Sequence, residues 1–183
     1  KEQVDQSLFE IGKFTPPGPF DLIGAMDLRD QVIGYDPRVM TPHTAQALRS
    51  ALIKAGAVAK AVTKNPIDQS WKGRPRQPMT RLVPQDIEFA GETSAEKRER
   101  VGASLKADKI DAAVITAPPS LAWLLNIRGG DVPRLPVLLA FATLDSTGDM
   151  VIYTDPRKLP NDFAAHVGKG VTVKEEDQLE QAL

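Results

Sequence analysis

The sequence predicts an α/β fold in which a mixed sheet carries flanking helices. Short strand-like apolar runs alternate with segments of helical period, and proline and glycine punctuate them into compact units. With 42% apolar and 26% charged residues over 183 positions, the chain has a globular balance. That length suits one domain or two small ones.

Val4, Leu8, Phe9 and Ile11 form a short apolar segment that reads as a strand, stopped by the breaker run Thr15-Pro16-Pro17-Gly18-Pro19. Gln31 to Tyr35 reads as a second strand closed by Asp36-Pro37, because proline cannot donate to a ladder. Thr41-Pro42 is a helix start, the threonine capping free donors and the proline fitting the first turn. The helix that follows places Leu48, Ala51, Leu52 and Ala55 on one face and stops at Gly56. A strand from about Val58 to Val62 comes next.

Between Asn65 and Pro84 the periodicity fails, and Pro66, Gly73, Pro75 and Pro78 alternate with Arg74, Arg76 and Arg81. This segment reads as a domain boundary with a linker at 76–81. Beyond it, Thr93-Ser94-Ala95-Glu96 is a capping box that opens a helix to about Ala107. Val101 and Leu105 are its inward stripe, and Lys97, Arg98, Glu99 and Arg100 read as its solvated face. Ala112 to Thr116 is a strand of buried type, ended by Ala117-Pro118-Pro119. Ser120 is the expected cap of a short helix carrying Leu121, Leu124 and Leu125. Val137 to Leu144 and Met150 to Thr154 are strands joined by the turn Asp145–Asp149, a hairpin. A helix near Asp162 to His166, a strand at Val171 to Val173 and a short terminal helix complete the pattern.

Composition excludes several chemistries. Without cysteine there is no disulfide, thiolate metal site or thiol nucleophile. Twenty-three basic against 24 acidic residues give a net charge of −1, which argues against a nucleic-acid partner. Apolar runs such as Val137 to Ala142 fall far below the roughly 20 residues of a membrane helix, so no membrane span is expected. The polar start, Lys1-Glu2-Gln3-Val4-Asp5, has no signal-peptide pattern and reads as a chain beginning inside a domain. An unpaired strand near such a start predicts self-association or disorder before about residue 30. His43 and His166 are isolated from one another and from acidic partners at ligand spacing, and they read as surface or capping imidazoles. No phosphate-binding glycine loop, dinucleotide fingerprint or nucleophile elbow is present.

Ala122-Trp123-Leu124-Leu125-Asn126-Ile127-Arg128-Gly129-Gly130-Asp131-Val132-Pro133 stands apart. An apolar helix runs directly into a loop that carries an amide, a cation and a carboxylate. Arg128 can clamp a carboxylate or peptide carbonyl through its planar fork, with Asp131 accepting from a substrate amine or orienting Arg128. The alternative is a local Arg128–Asp131 pair that stiffens the turn. Trp123 reads as a core residue.

Gly34-Tyr35-Asp36-Pro37, Asn65 to Trp71 with Arg74-Pro75, Ile87 to Arg98 and Ala122 to Gly129 together resemble the bacterial three-domain Xaa-Pro aminopeptidases of the creatinase/prolidase superfamily, also called aminopeptidase P. The resemblance spans nearly the whole chain in order. It implies a creatinase/prolidase N-terminal-domain-like fold, with one partial and one complete domain. Residues 1–75 would be the later part of a first domain, 76–81 a linker and 82–183 a second domain. A catalytic pita-bread domain holding two divalent metals, manganese or zinc, would lie outside this chain, which itself would hold no cofactor and no catalytic residue. The parent enzyme would be a cytoplasmic metallopeptidase that releases the first residue from peptides with proline second. Its partners would be those peptides, its own catalytic domain and a second copy in a homodimer. Asn126, Arg128, Asp131 and Arg134 are the implied lining of the substrate cleft. Gly130 stands where the family usually has serine, and Arg134 where it often has histidine; a guanidinium cannot shuttle protons near neutrality. A stand-alone peptide- or protein-binding module of the same fold, or part of a prolidase- or creatinase-type hydrolase, is the alternative.

Overall fold

The computed structural model describes residues 3–12 and 17–183. Two compact units divide the chain between Pro75 and Arg76.

In the first unit, Asp5 organises the opening segment. Its carboxylate accepts from the Ser7 amide at 2.9 Å and the Ser7 hydroxyl at 2.7 Å, while its carbonyl accepts from Leu8 and Phe9. Those local bonds consume the groups a ladder would need, so the strand expected over Val4–Ile11 is a series of turns, with its apolar side chains exposed. Thr15 and Pro16 of the expected breaker run lie outside the described residues; Pro19 opens helix α1 (Pro19–Gly24) instead of ending an element. Strand β1 (Val32–Tyr35) leads through a one-turn 3-10 segment capped by Asp36 into α2 (Pro42–Lys54). Thr41 caps α2 as its sequence predicts, accepting from the Thr44 amide at 3.2 Å. Gly56 releases the chain at φ +81° into β2 (Val58–Ala61). β1 and β2 pair in parallel, Val32 opposite Val58, which makes β1–α2–β2 a crossover unit. Tyr35, Leu48 and Leu52 form its core with Phe20 and Ile23 of α1. Helix α3 (Pro66–Ser70), capped by Asn65, breaks the segment expected to be wholly irregular.

The second unit opens with β3 (Val83–Pro84), α4 (Ile87–Ala90) and α5 (Ser94–Ala107). Thr93 and Glu96 close the reciprocal cap expected from the sequence: the Glu96 amide donates to Thr93 Oγ1 at 3.2 Å and the Thr93 amide to Glu96 Oε2 at 2.8 Å. Strand β4 (Ala112–Ile115), helix α6 (Pro118–Leu125) and the short strand β5 (Ile127–Arg128) follow. Strands β6 (Phe141–Asp145) and β7 (Met150–Tyr153), helix α7 (Phe163–Val167), strand β8 (Val171–Lys174) and helix α8 (Leu179–Ala182) complete the unit. The sheet runs β4-β6-β7-β8, antiparallel except for the parallel β7–β8 pair, so it is mixed; β3 and β5 form a separate antiparallel ribbon. Leu121 and Leu125 of α6 and Val167 of α7 pack with Leu144 and Ile152 of the sheet in one core.

Three local readings are corrected. β4 alternates exposed and half-buried residues because it is an edge strand with one neighbour, whereas a run of apolar residues suggests burial on both faces. Ala117, not Ser120, is the residue before α6: Pro118 and Pro119 occupy the first turn, where a missing N–H costs nothing. The ladder of β6 begins only at Phe141; Val137 and Leu138 are buried apolar loop residues whose hydrophobicity mimics a strand.

Candidate functional site

The end of α6 is built around Asn126, whose backbone is left-handed at φ +51° and ψ +52°. Asparagine tolerates this conformation better than most residues. Its side chain is held at both ends: Oδ1 accepts from Lys97 Nζ at 2.6 Å, and Nδ2 donates to the Glu92 carbonyl at 2.7 Å. Its own carbonyl accepts from the Gln85 amide at 2.7 Å. His166 Nε2 lies 2.8 Å from that carbonyl and 3.1 Å from the carbonyl of Leu125; both partners are acceptors, so Nε2 carries the hydrogen. The expected capping role of His166 is therefore met by a helix other than its own.

Lys97 contradicts the solvated-face reading of α5. It is only 3% exposed, and its ammonium also donates to the Trp123 carbonyl at 3.1 Å and lies 4.8 Å from the centroid of the Trp123 ring. A cation near the last carbonyls of α6 complements the negative helix end. Burial pushes the Lys97 ammonium below the ordinary lysine range, against the pull of Glu92, while Arg100 and Arg128 push the same way as burial. Arg98 is buried too. Its guanidinium donates to the carbonyls of Gly148 at 2.6 Å, Val167 at 3.0 Å and Lys169 at 2.7 Å, tying α5 to the β6–β7 turn and the α7–β8 loop. Arg100, at the outer edge, forms a forked pair with Glu92 at 2.7 and 3.2 Å and lies 5.6 Å from the Trp123 ring. Trp123 itself is 46% exposed, not a core residue, and its ring lies against the Lys97 and Arg100 cations.

These groups border a groove of about 310 Å³ whose lining includes Gln85, Phe89, Lys97, Trp123, Asn126 and Arg128. Arg128 anchors one guanidinium nitrogen, Nη1, on the Ile127 carbonyl at 2.8 Å. Asn126 and Arg128 are thus brought together, while Asp131 and Arg134 are not part of the lining. Asp131 turns inward: Oδ2 accepts from Lys158 Nζ at 2.8 Å and from the Leu139 amide at 2.9 Å, and Oδ1 from the Thr80 amide at 3.3 Å. Burial raises its carboxyl pKa, but Lys158 and the two amides outweigh burial and hold it below the ordinary range. The local Arg128–Asp131 pair is absent because Lys158 takes the carboxylate. A 3-10 turn capped by Asp155 delivers Lys158, and the Arg157 side chain and amide hold the Asp155 carboxyl down at about 2. Arg134 stands exposed in the turn bridging Val132 and Leu135, with φ +67°.

Lys97, Glu92, Arg100 and Lys158 were not singled out by sequence reasoning. For Lys97 and Arg100 the available signal was their i,i+3 spacing on α5, which puts both on one side of the helix. No group of three His, Asp or Glu side chains placed to hold a metal ion converges among the described residues. No helix among them is long and apolar enough to cross a membrane.

Comparison with known proteins places this geometry. A "Probable Xaa-Pro aminopeptidase P" of Leptosphaeria maculans is 34% identical over 144 residues, covering 79% of this chain and 24% of that protein. The protein of the same name in Ajellomyces dermatitidis is 36% identical over 146 residues, covering 79% and 23%. The chain thus spans about a quarter of the length of these curated relatives. The crystal structure of X-prolyl aminopeptidase from Caenorhabditis elegans, described as a cytosolic enzyme with a di-nuclear active site, superposes with a TM-score of 0.79 at 28% identity. That match covers 98% of this chain and 28% of the other. Residues 73–183, which hold the mixed sheet, the α6 turn and the groove, match the family described as the Creatinase/Prolidase N-terminal domain; the chain belongs to that family.

Proposed function

We propose that this chain is the non-catalytic N-terminal portion of a metal-dependent Xaa-Pro aminopeptidase, and that its groove borders the substrate entrance. The observation that carries the reading is that the Trp123–Arg128 turn, inside the segment shared with the aminopeptidase relatives, presents an arginine and an indole along one concavity, which Phe89 of α4 also lines. Proline-containing peptides suit such a wall: apolar rings pack on Trp123 and Phe89, and peptide carbonyls or carboxylates accept from the Arg128 nitrogens not held by Ile127. On this reading the two divalent ions, manganese or zinc, and the attack on the scissile carbonyl belong to another part of the whole protein, in keeping with the di-nuclear active site described for the Caenorhabditis elegans enzyme. The reading places the enzyme in the cytoplasm, in keeping with the cytosolic description of the Caenorhabditis elegans protein. It also carries a homodimer, supported by the exposed apolar side chains Val83 and Ile87.

The test is expression of the complete reading frame with manganese or zinc. Peptides with proline at the second position are then followed by mass spectrometry, beside controls with alanine there. Release of the first residue only from the proline series, lost on chelation, is expected; no release from that series would remove the reading. Light scattering of the same preparation checks the dimer.

A further inference from the structure

Lys97 places a cation where a hydrocarbon side chain would cover α6 at lower desolvation cost. No carboxylate lies within ion-pair distance of its ammonium among the described residues; its polar contacts all run to the last turn and cap of α6. These contacts belong to a closed circuit. Lys97 holds the Asn126 amide, Asn126 holds the Glu92 carbonyl, the Glu92 carboxylate holds Arg100, and Arg100 and Lys97 both lie against the Trp123 ring. Asn126 is the left-handed residue from which the chain swings into Ile127 and Arg128. The circuit therefore fixes two parts of the groove that local sequence alone leaves free, the indole and the direction of the Arg128 strand.

We infer that Lys97 is a positioning residue of the groove: its ammonium locks the Asn126 amide and the Trp123 ring so that Trp123 and Arg128 are presented together. The inference rests on reading the groove as the substrate entrance. A compact three-donor ammonium suits the task, because it reaches a carbonyl, an amide oxygen and a ring face from one point.

Two measurements test it. Trp71 and Trp123 are the two tryptophans of this chain, so Trp71→Phe leaves Trp123 as the single indole reporter. In that background Lys97→Met is expected to raise acrylamide quenching of Trp123 about 2-fold as the ring loosens. In the complete enzyme, the same substitution is expected to raise KM for proline peptides about 5-fold with kcat nearly unchanged, the signature of lost binding geometry. Arg98→Lys, on the same helix but facing away from the groove contacts, controls for general destabilisation and is expected to move neither readout. Asn126→Gly keeps the left-handed backbone and removes the amide, so it gives the same KM rise with Lys97 in place; it also serves if Lys97→Met does not fold. Unchanged quenching and KM in a folded variant would overturn the inference, as would changes matching those of Arg98→Lys. Should the unsubstituted enzyme fail to release residues from proline peptides, the functional reading falls, while the quenching experiment still decides whether Lys97 positions Trp123.

Discussion

Lys158 Nζ lies 2.8 Å from Asp131 Oδ2, with the two side chains 6% and 0% exposed, so the family-like loop after Arg128 is fastened from inside by an ion pair 27 residues apart in sequence. The carboxylate also receives the Leu139 and Thr80 amides, which joins three separate chain segments at one group. A pair of this kind is strongly destabilising to break from one side, because the remaining charge stays buried.

Asp131→Ala is accordingly expected to lower the stability of the second unit by about 3 kcal/mol, measured by urea unfolding with an unchanged m-value. The pH dependence has a definite sign. The folded carboxyl is held below its ordinary range, so the unfolded state binds the proton more readily in acid. The stabilisation is fully present above the unfolded carboxyl value of about 4 and is lost as pH falls through the folded value. Unfolding of the parent chain and Asp131→Asn should therefore differ most near neutrality and converge in acid. A gap that stays constant down to strong acid would contradict the assignment.

Arg98 joins three carbonyls that belong to the β6–β7 turn, the end of α7 and the loop that leads into β8. Hydrogen bonds from a charged donor contribute about 1.5–3 kcal/mol each when nothing replaces them, and partial compensation is the rule for neighbouring bonds. Arg98→Met is expected to cost about 3 kcal/mol, with Arg98→Lys intermediate because an ammonium lacks the planar fork. Amide exchange should accelerate most at Met150 and at β8, whose register depends on the anchored loop. Uniform loss of protection across the sheet would mean that Arg98 acts only globally.

How much of this was legible in the sequence differs by element. The Thr41-Pro42 and Thr93–Glu96 helix starts and the Asp145–Asp149 hairpin were readable because the signal is local: the group that satisfies each orphan donor lies within four residues. The charged stretch Lys97–Arg100 was misread for the opposite reason. Its composition describes a solvated face, yet the acceptors for Lys97 and Arg98 lie 26 to 71 residues away. The same holds at the candidate site, where Asn126 and Arg128 could be picked out from one segment but the partner that removes Asp131 from the groove could not. Asp5 illustrates local chemistry working against pattern, since its side chain diverts an apolar run from strand to turn.

The paired glycines after Arg128 are expected to behave unequally. A Cβ at Gly129 would sit 2.6 Å from the Val137 carbonyl oxygen and 2.8 Å from the Leu138 amide nitrogen, both backbone atoms that cannot rotate away. A Cβ at Gly130 would meet Thr80 Cγ2 at 2.8 Å, the end of a side chain that can turn. Gly129→Ala should therefore cost about 2 kcal/mol by overpacking. Gly130→Ser, the residue the resemblance leads one to expect there, should cost less than about 1 kcal/mol. Thermal unfolding of the two variants side by side checks the order, and equal losses would count against backbone contact as the cause.

Arg128 provides the sharpest link from geometry to the proposed activity. Its Nη1 donates to the Ile127 carbonyl, which restrains the guanidinium at the wall it shares with Trp123 and Asn126. A fork held in this way can bind a peptide carbonyl or carboxylate without first being ordered, so its contribution belongs to binding rather than to bond breaking. Arg128→Lys keeps the charge but loses the planar fork, and with it the nitrogens left for a substrate once Nη1 is held by Ile127. In the complete enzyme the expected result is a KM for proline peptides raised about 10-fold, with kcat within about 2-fold of the parent. Initial rates over a wide range of peptide concentration separate the two constants. A fall in kcat at constant KM would instead place Arg128 at the reacting bond and would require a different account of what the groove holds.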